Sequence, residues 1–427
     1  MTVKMTTKAL YELYLRQGRY TTDSRDCPAG SVFFALKGAS FDGNKFALAA
    51  LEKGCGYAVV DDREMFSGVK DDRIILVDDV LQALKDVARE HRRRFDIPVV
   101  GITGTNGKTT TKELVAAVLG MKYSVMYTQG NFNNDVGVPK TLLRLTEGHD
   151  MAVVEMGASH PGDIKTLVET AEPTCGLITN VGRAHLLGFG SFEGVKRTKG
   201  EIYDNLALRG KPAFLNTEDP DLTAMAAERG VDTVPYVKGQ VESCDPLLTV
   251  RLDDGMKIPT RLIGTYNLAN VLAAVTVGRH FGVEDEKIKE ALCNYQPSNN
   301  RSQLVVTENN RLVVDAYNAN PTSMAAALGD FSRLQSEEPK MAIIGEMREL
   351  GEVSVAEHQK IVDLLAASGI PTVWLVGSEF EKTRTPFPVF TDVEAVERAV
   401  AETQPFHRCI LIKGSNGVGL YRLPPLL

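Results

Sequence analysis

Short apolar runs recur along this chain, each closed by a turn and followed by residues at helical spacing. Val99–Thr103, Ala152–Glu155, Gly176–Val181 and Ala213–Asn216 are such runs. A continuous apolar run reads as a strand covered on both faces, and its alternation with helices predicts a mostly parallel sheet. Further on, Leu312–Ala316, Met341–Ile344, Thr372–Val376 and Cys409–Ile412 repeat the pattern and predict a second open, Rossmann-like α/β sheet. Before both lie shorter strands, Ser31–Leu36, Tyr57–Asp61 and Ile74–Val77, mixed with helices over Lys45–Lys53 and Val80–Phe95. Leu247–Ile263 alternates around Asp254-Gly255, a hairpin signal.

Asp96-Ile97-Pro98 and the stretch Tyr295–Asn300 read as linkers. The predicted architecture is α/β in three domains: a small mixed α/β domain over 1–96, a central mostly parallel sheet domain over 97–298, and a Rossmann-like domain over 299–427. A length of 427 residues fits about three domains.

A net charge of −7 argues against a nucleic-acid footprint. The one basic run, His91-Arg92-Arg93-Arg94, ends a predicted helix, where cations suit the dipole, and is expected to be a solvated helix terminus. Six cysteines lie far apart with no C-x-x-C pair, which indicates reduced thiols in a cytoplasmic protein, with neither a zinc site nor a disulfide framework. No signal peptide is apparent, and no apolar run approaches the 18 or so residues of a membrane span.

Pro98–Thr111 reads PVVGITGTNGKTTT: a buried strand, a glycine-rich turn, a lysine and threonines. Such a turn opens a helix whose free N–H groups point at phosphate. Gly104, Thr105, Asn106, Gly107, Lys108, Thr109 and Thr110 form the candidate ATP site, with Lys108 for the outer phosphates and the Thr109 hydroxyl for Mg²⁺. With two residues between Gly104 and Gly107 instead of four, the turn is tighter than the usual phosphate-loop spacing. In MAVVEMG, Glu155 ends a buried strand at the edge where the loop lies, and is expected to serve Mg²⁺. In LITNVGRAH, a further strand is expected to deliver His185 to that edge. Asn267 and Asn270 lie three apart at a helix start and could read the edge of adenine, or cap the helix.

GTNGKT resembles the turn of the Mur ligases and their relatives, the folylpolyglutamate synthetases. The string VDAYNANPTSM (Val314–Met324) resembles the Mur ligase branch that adds D-alanyl-D-alanine. GEMRELG (Gly345–Gly351) with His358, LIKGS (Leu411–Ser415), TDSR (Thr22–Arg25), FFALKG (Phe33–Gly38), DGNKF (Asp42–Phe46) and TQGNFNNDVGVP (Thr128–Pro139) agree with it, in order, over essentially the whole chain. Four positions depart from the pattern. Tyr266 and Asn44 stand where the family often has His, and are expected to adjust packing. Asn416 replaces an Arg, bearing on a contact to the dipeptide carboxylate, and Asn300 stands where Gly is common.

The resemblance implies an ATP-dependent ligase that joins D-alanyl-D-alanine to UDP-N-acetylmuramoyl-tripeptide through an acyl phosphate. It implies two Mg²⁺ ions, one at Thr109 and Glu155, the other at His185 and a carbamoylated Lys199 oriented by Glu201. Lys108, Glu155, His185 and Lys199 are its catalytic set. It places ribose on Asp315 and phosphates near Arg301, and makes 1–96 the UDP-substrate domain. Its substrate contacts are Ser24, Arg25, Lys37, Asn131, Asn133, Asn134, Tyr317, Asn318, Asn320 and Lys413. A monomer that closes between domains is expected. Another Mur ligase, a folylpolyglutamate synthetase-like ligase, or a nucleotide-dependent switch are the alternatives; no N-K-x-D string favours a GTPase.

Overall fold

In the C-terminal sheet, neighbouring residues of each strand enter different cores. Val313, Ala342, Ile344, Leu375 and Leu411 pack on one face. Leu312, Val314, Met341, Ile343, Val376 and Ile412 pack on the other. A strand sends successive side chains to opposite sides, so apolar residues at every position call for helices on both. The strands run in the order Gln303–Val306, Asn310–Asp315, Arg408–Lys413, Lys340–Gly345, Thr372–Val376, Val389–Phe390. The first pair is antiparallel and the others are parallel.

The computed structural model describes residues 3–297 and 301–427. Residues 298–300, which hold the end of the second expected linker, its domain boundary and the Asn300 departure, lie outside the described residues. Two compact units emerge. One comprises Met1–Gly101, Met126–Met156 and Lys165–Thr174; the other comprises Ile102–Val125, Gly157–Ile164 and Cys175–Leu427.

In the first unit, five parallel strands run in the order Val3–Lys4, Ile74–Leu76, Tyr57–Val60, Val32–Phe34, Tyr20–Thr21. Phe33, Ala35, Ala58, Val60 and Ile74 share a buried cluster beneath helix Ala47–Glu52. Met151–Glu155 and helix Gly137–Leu142 complete the elements that matter for the site.

The helix Val80–Arg93 is capped at its start by the Asp79 carboxylate, which accepts from the Gln82 N–H at 2.8 Å. At its end the structure corrects the expected solvated terminus. His91 and Arg92 are only 6% and 7% exposed. The Arg92 guanidinium donates to the carbonyls of Phe95 (2.8 Å), Ala171 (3.2 Å) and Ile97 (3.3 Å). The helix ends against polypeptide instead of water, and the cation supplies donors to carbonyls that would otherwise be buried unmet. Only Arg93 and Arg94 reach the surface, where they pair with Glu172 and Glu147.

In the second unit, Cys175–Ile178, Ala213–Leu215 and Thr233–Pro235 are parallel. The strand Val99–Thr103 ends beside them, with the Thr179 N–H donating to the Thr103 carbonyl at 2.9 Å. The expected hairpin is present as Leu247–Leu252 and Lys257–Ile263, joined by a third antiparallel strand, Gly239–Cys244. Among the described residues no helix is long and apolar enough to cross a membrane.

Arg92→Met is expected to lower stability by about 3 kcal/mol, because it orphans buried carbonyls. Arg93→Ala should cost under about 1 kcal/mol, the value of an exposed pair. Urea unfolding of the two variants checks this; equal losses would contradict it.

Candidate active site

The turn between Val99–Thr103 and helix Lys108–Leu119 is held open by two glycines in the left-handed region, Gly104 (φ 142°) and Gly107 (φ 77°). A Cβ on Gly104 would stand 2.0 Å from Thr179 Oγ1, and one on Gly107 would stand 2.7 Å from Asn270 Oδ1. Neither position admits a side chain. The residues after strand Cys175–Ile178 clasp the turn from the side. The Asn180 carbonyl accepts from the Thr105 N–H at 2.9 Å, and Asn180 Oδ1 accepts from the Asn106 N–H at 3.0 Å. Thr179 Oγ1 (2.6 Å) and Asn180 Nδ2 (3.0 Å) both donate to the Asn106 carbonyl. Lys108 Nζ donates to the carbonyls of Gly104 and Thr105 at 2.9 and 3.0 Å. The ammonium therefore already sits over the cradle. Thr179 and Asn180 were missed by sequence reasoning, although two hydrogen-bonding side chains directly after an apolar strand were a usable signal.

Asn267 and Asn270 require a correction. They are 1% and 6% exposed. Asn267 Nδ2 donates to the Ile263 carbonyl and Asn270 Nδ2 to Asn267 Oδ1, both at 2.8 Å. Asn270 Oδ1 accepts from Thr111 Oγ1 at 3.0 Å. These amides brace the phosphate turn from beneath and do not face outward to read a base.

Lys199 lies in the middle of helix Phe192–Leu208 and is 2% exposed. Its Nζ is 3.5 Å from the Ala158 carbonyl and 5.6 Å from the centre of the Phe189 ring. Burial drives its ammonium well below the usual lysine range; the charge of Lys108 pushes the same way, and Asp163 and Glu201 oppose it. Glu201 Oε1 accepts from the Gly162 N–H at 3.0 Å, so it acts on Lys199 through its charge.

His185 is not at a strand edge as expected. The strand stops at Ile178, and His185 caps the short helix Leu186–Phe189 with φ 51°. The chain leaves the sheet early because Thr179 and Asn180 turn aside to hold the phosphate loop. Burial lowers the imidazole's proton affinity; the charge of Glu349 offsets this, while Lys108 and Lys199 add to it. Lys108, His185 and Lys199 are thus brought within electrostatic range of one another. Glu155, in the first unit, is 1% exposed and accepts from Asn133 Nδ2 at 2.8 Å.

Around the C-terminal sheet, Lys413 is 1% exposed and pairs with Asp315. That corrects its expected contact with substrate: it is a buried counter-ion that fixes Asp315. Asn320 caps helix Pro321–Arg333, and its Nδ2 donates to Asn106 Oδ1 at 2.7 Å. Its amide is spent on the phosphate turn, a second correction. The Arg301 guanidinium lies 3.6 Å from the centre of the Tyr317 ring. Asn318 is exposed. His358, fully buried, accepts the Met347 N–H on Nε2 (2.9 Å) and donates from Nδ1 to the Ser354 carbonyl (2.7 Å), anchoring the Gly345–Gly351 turn.

In the first unit, Arg25 is exposed and forks onto Asp23, holding that carboxyl below its usual range. Lys37 pairs with Asp61 at 2.8 Å, and buried Asn44 ties Asp42 to Asp61. The Ser24 carbonyl accepts from Lys53 Nζ at 2.9 Å. Asn131 is exposed, and Asn134 Oδ1 accepts from the Gly137 N–H at 2.8 Å, starting the next helix.

Three family models match the chain: Mur ligase family, catalytic domain, over residues 19–92; Mur ligase middle domain over 102–278; and Mur ligase, glutamate ligase domain over 300–416. The UDP-N-acetylmuramoyl-tripeptide–D-alanyl-D-alanine ligase of Bacillus subtilis is 33% identical over 422 residues, covering 93% of this chain and 90% of that protein. MurF from Acinetobacter baumannii superposes with a TM-score of 0.84 at 28% identity, covering 99% of this chain and 98% of that one. MurF ligase from Thermotoga maritima in complex with ADP gives 0.84 at 28%, covering 96% of each.

Gly104→Ala should weaken ATP binding about 5- to 150-fold, the equivalent of about 1–3 kcal/mol, because the turn must shift to relieve a Cβ at 2.0 Å from Thr179 Oγ1. A fluorescent-nucleotide titration checks it; unchanged affinity would contradict the cradle.

Proposed function

This chain belongs to the Mur ligase family, and from that premise we infer that it is the ATP-dependent ligase joining D-alanyl-D-alanine to UDP-N-acetylmuramoyl-tripeptide in the synthesis of peptidoglycan precursor. The observation that carries the reading is the rigid phosphate cradle at Gly104–Thr110, with Lys108, His185 and Lys199 in one electrostatic neighbourhood.

A carboxylate is a poor electrophile because its charge resists nucleophiles. Its oxygen attacks the γ-phosphorus of ATP, ADP leaves, and the acyl phosphate keeps a good leaving group. The amine of D-alanyl-D-alanine then attacks the acyl carbon and loses a proton, and inorganic phosphate departs. The N–H groups that open helix Lys108–Leu119 bind and orient the phosphates. Lys108 swings from the loop carbonyls onto the outer phosphates. Arg301 approaches them from the C-terminal block, and Asp315, held by Lys413, takes the ribose hydroxyls.

Among the described residues no three His, Cys, Asp or Glu side chains form a metal cluster. Mg²⁺ keeps several waters and is bound through one or two carboxylates plus substrate phosphates, and the buried Glu155 carboxylate is a ligand of that kind. Thr109 and Glu155 would serve one ion, His185 and Lys199 a second. Bound Mg²⁺ supplies positive charge against the phosphates and the acceptor carboxylate. A buried lysine that has shed its proton can add CO₂ and release a proton; the carbamate is then an anionic ligand, which suits the environment of Lys199.

We assign the remaining contacts to substrate: Ser24, Arg25 and Lys37 in 1–96, Asn131, Asn133 and Asn134, and Tyr317 and Asn318 in 299–427, with 97–298 as the ATP-binding domain. Six free thiols support a cytoplasmic enzyme, and we take it to act as a monomer without nucleic acid.

Phosphate release from ATP should require UDP-N-acetylmuramoyl-tripeptide and D-alanyl-D-alanine together, with one amide formed per phosphate. Release from ATP alone would favour a nucleotide switch, and efficient use of a single amino acid in place of the dipeptide would favour a sibling ligase.

A further inference from the structure

Two residues with left-handed backbones meet in the second unit. His185 has φ 51°, and Glu349, in the turn Gly345–Gly351, has φ 63°. Such conformations in non-glycine residues persist where the surroundings over-determine them, and they concentrate at functional sites. The two side chains are joined by a hydrogen bond between His185 Nδ1 and Glu349 Oε2.

The turn that carries Glu349 is fixed from several directions. The Glu346 N–H donates to the Val376 carbonyl at 2.9 Å, the Met347 N–H to His358 Nε2 at 2.9 Å, and the Arg348 N–H to Ser415 Oγ at 3.1 Å. Leu350 is 3% exposed. Beside it Leu187 lies over Gly351, close enough that a Cβ there would stand 3.4 Å from Leu187 Cδ1. The carboxylate is therefore presented on a stiff support.

A carboxylate accepts from an N–H, so the pair requires the proton of a neutral His185 to sit on Nδ1. Nε2 is left with its lone pair and has no hydrogen-bond partner among the described residues. Metal-ligating histidines are oriented in this way by outer carboxylates. We propose that Glu349 is a positioning residue for the cation site at His185, fixing the tautomer and ring orientation so that Nε2 meets Mg²⁺. Because Glu349 belongs to the C-terminal block and His185 to the central one, the ion site is complete only when those blocks are closed on each other. The inference rests on the reading of His185 as a Mg²⁺ ligand.

The test uses the full-length chain loaded with ADP and titrated with Mn²⁺ under electron paramagnetic resonance, in wild type, Glu349→Ala, Glu349→Gln and His185→Ala. Loss of an outer carboxylate is expected to weaken the His185-dependent Mn²⁺ binding about 10- to 100-fold. Gln, which can still accept from Nδ1, should lose less than Ala, melting temperatures should stay at the wild-type value, and a variant carrying both Glu349→Ala and His185→Ala should be no worse than His185→Ala. In ¹⁵N spectra of the wild type, His185 should carry its proton on Nδ1. If His185→Ala weakens Mn²⁺ binding while both Glu349 variants bind as wild type does, the positioning role is overturned and the ligand reading stands. If His185→Ala itself leaves Mn²⁺ binding unchanged, the ligand reading falls and takes this inference with it.

Discussion

A carboxylate and the terminal phosphate of ATP repel each other, by about 4 kcal/mol per pair of unit charges at 4 Å in a medium of effective dielectric 20. Bringing them into contact is the constraint from which the rest of the site follows. The central sheet meets it with backbone before side chains. Glycines at 104 and 107 let the turn come close to phosphate, and Thr179 and Asn180 lock it so that little reorganisation remains when nucleotide arrives. Lys108 is stored on the turn's own carbonyls, and the same electrostatic neighbourhood holds Lys199, whose ammonium burial drives well below the usual lysine range.

Much of the polar apparatus serves rigidity. Asn270 and Asn320 both spend amides on the phosphate turn, one from beneath and one from the C-terminal block. Lys413 stands behind Asp315 because their strands pair in that register. A buried cation that neutralises and aims a carboxylate is costly to form and firm once formed. Residues that resemble substrate contacts by sequence therefore turn out to position the groups that can make them.

The fold was legible where apolar runs were continuous. Val99–Thr103 and Thr372–Val376 have the bounds their sequence predicts. Gly239–Cys244 escaped notice because its apolar residues are isolated among polar ones, and the two-residue strands at Val3 and Tyr20 are too short to show any period. The phosphate turn was legible as local chemistry. What could not be read locally was register and long-range contact: the burial of Arg92 depends on Ala171, and the partner of His185 lies 164 residues away. His185 was expected at a strand edge because Thr179-Asn180-Val181 continues the run in sequence, while the side chains of Thr179 and Asn180 are committed to the turn.

A structure of the full-length protein with a non-hydrolysable ATP analogue and Mg²⁺ tests the central claim most directly. The account predicts the triphosphate on the N–H groups of Gly104–Thr110, with Lys108 moved off its loop carbonyls and the γ-phosphate facing His185 and Lys199. A triphosphate bound away from that turn, with Lys108 still resting on Gly104 and Thr105, would contradict it.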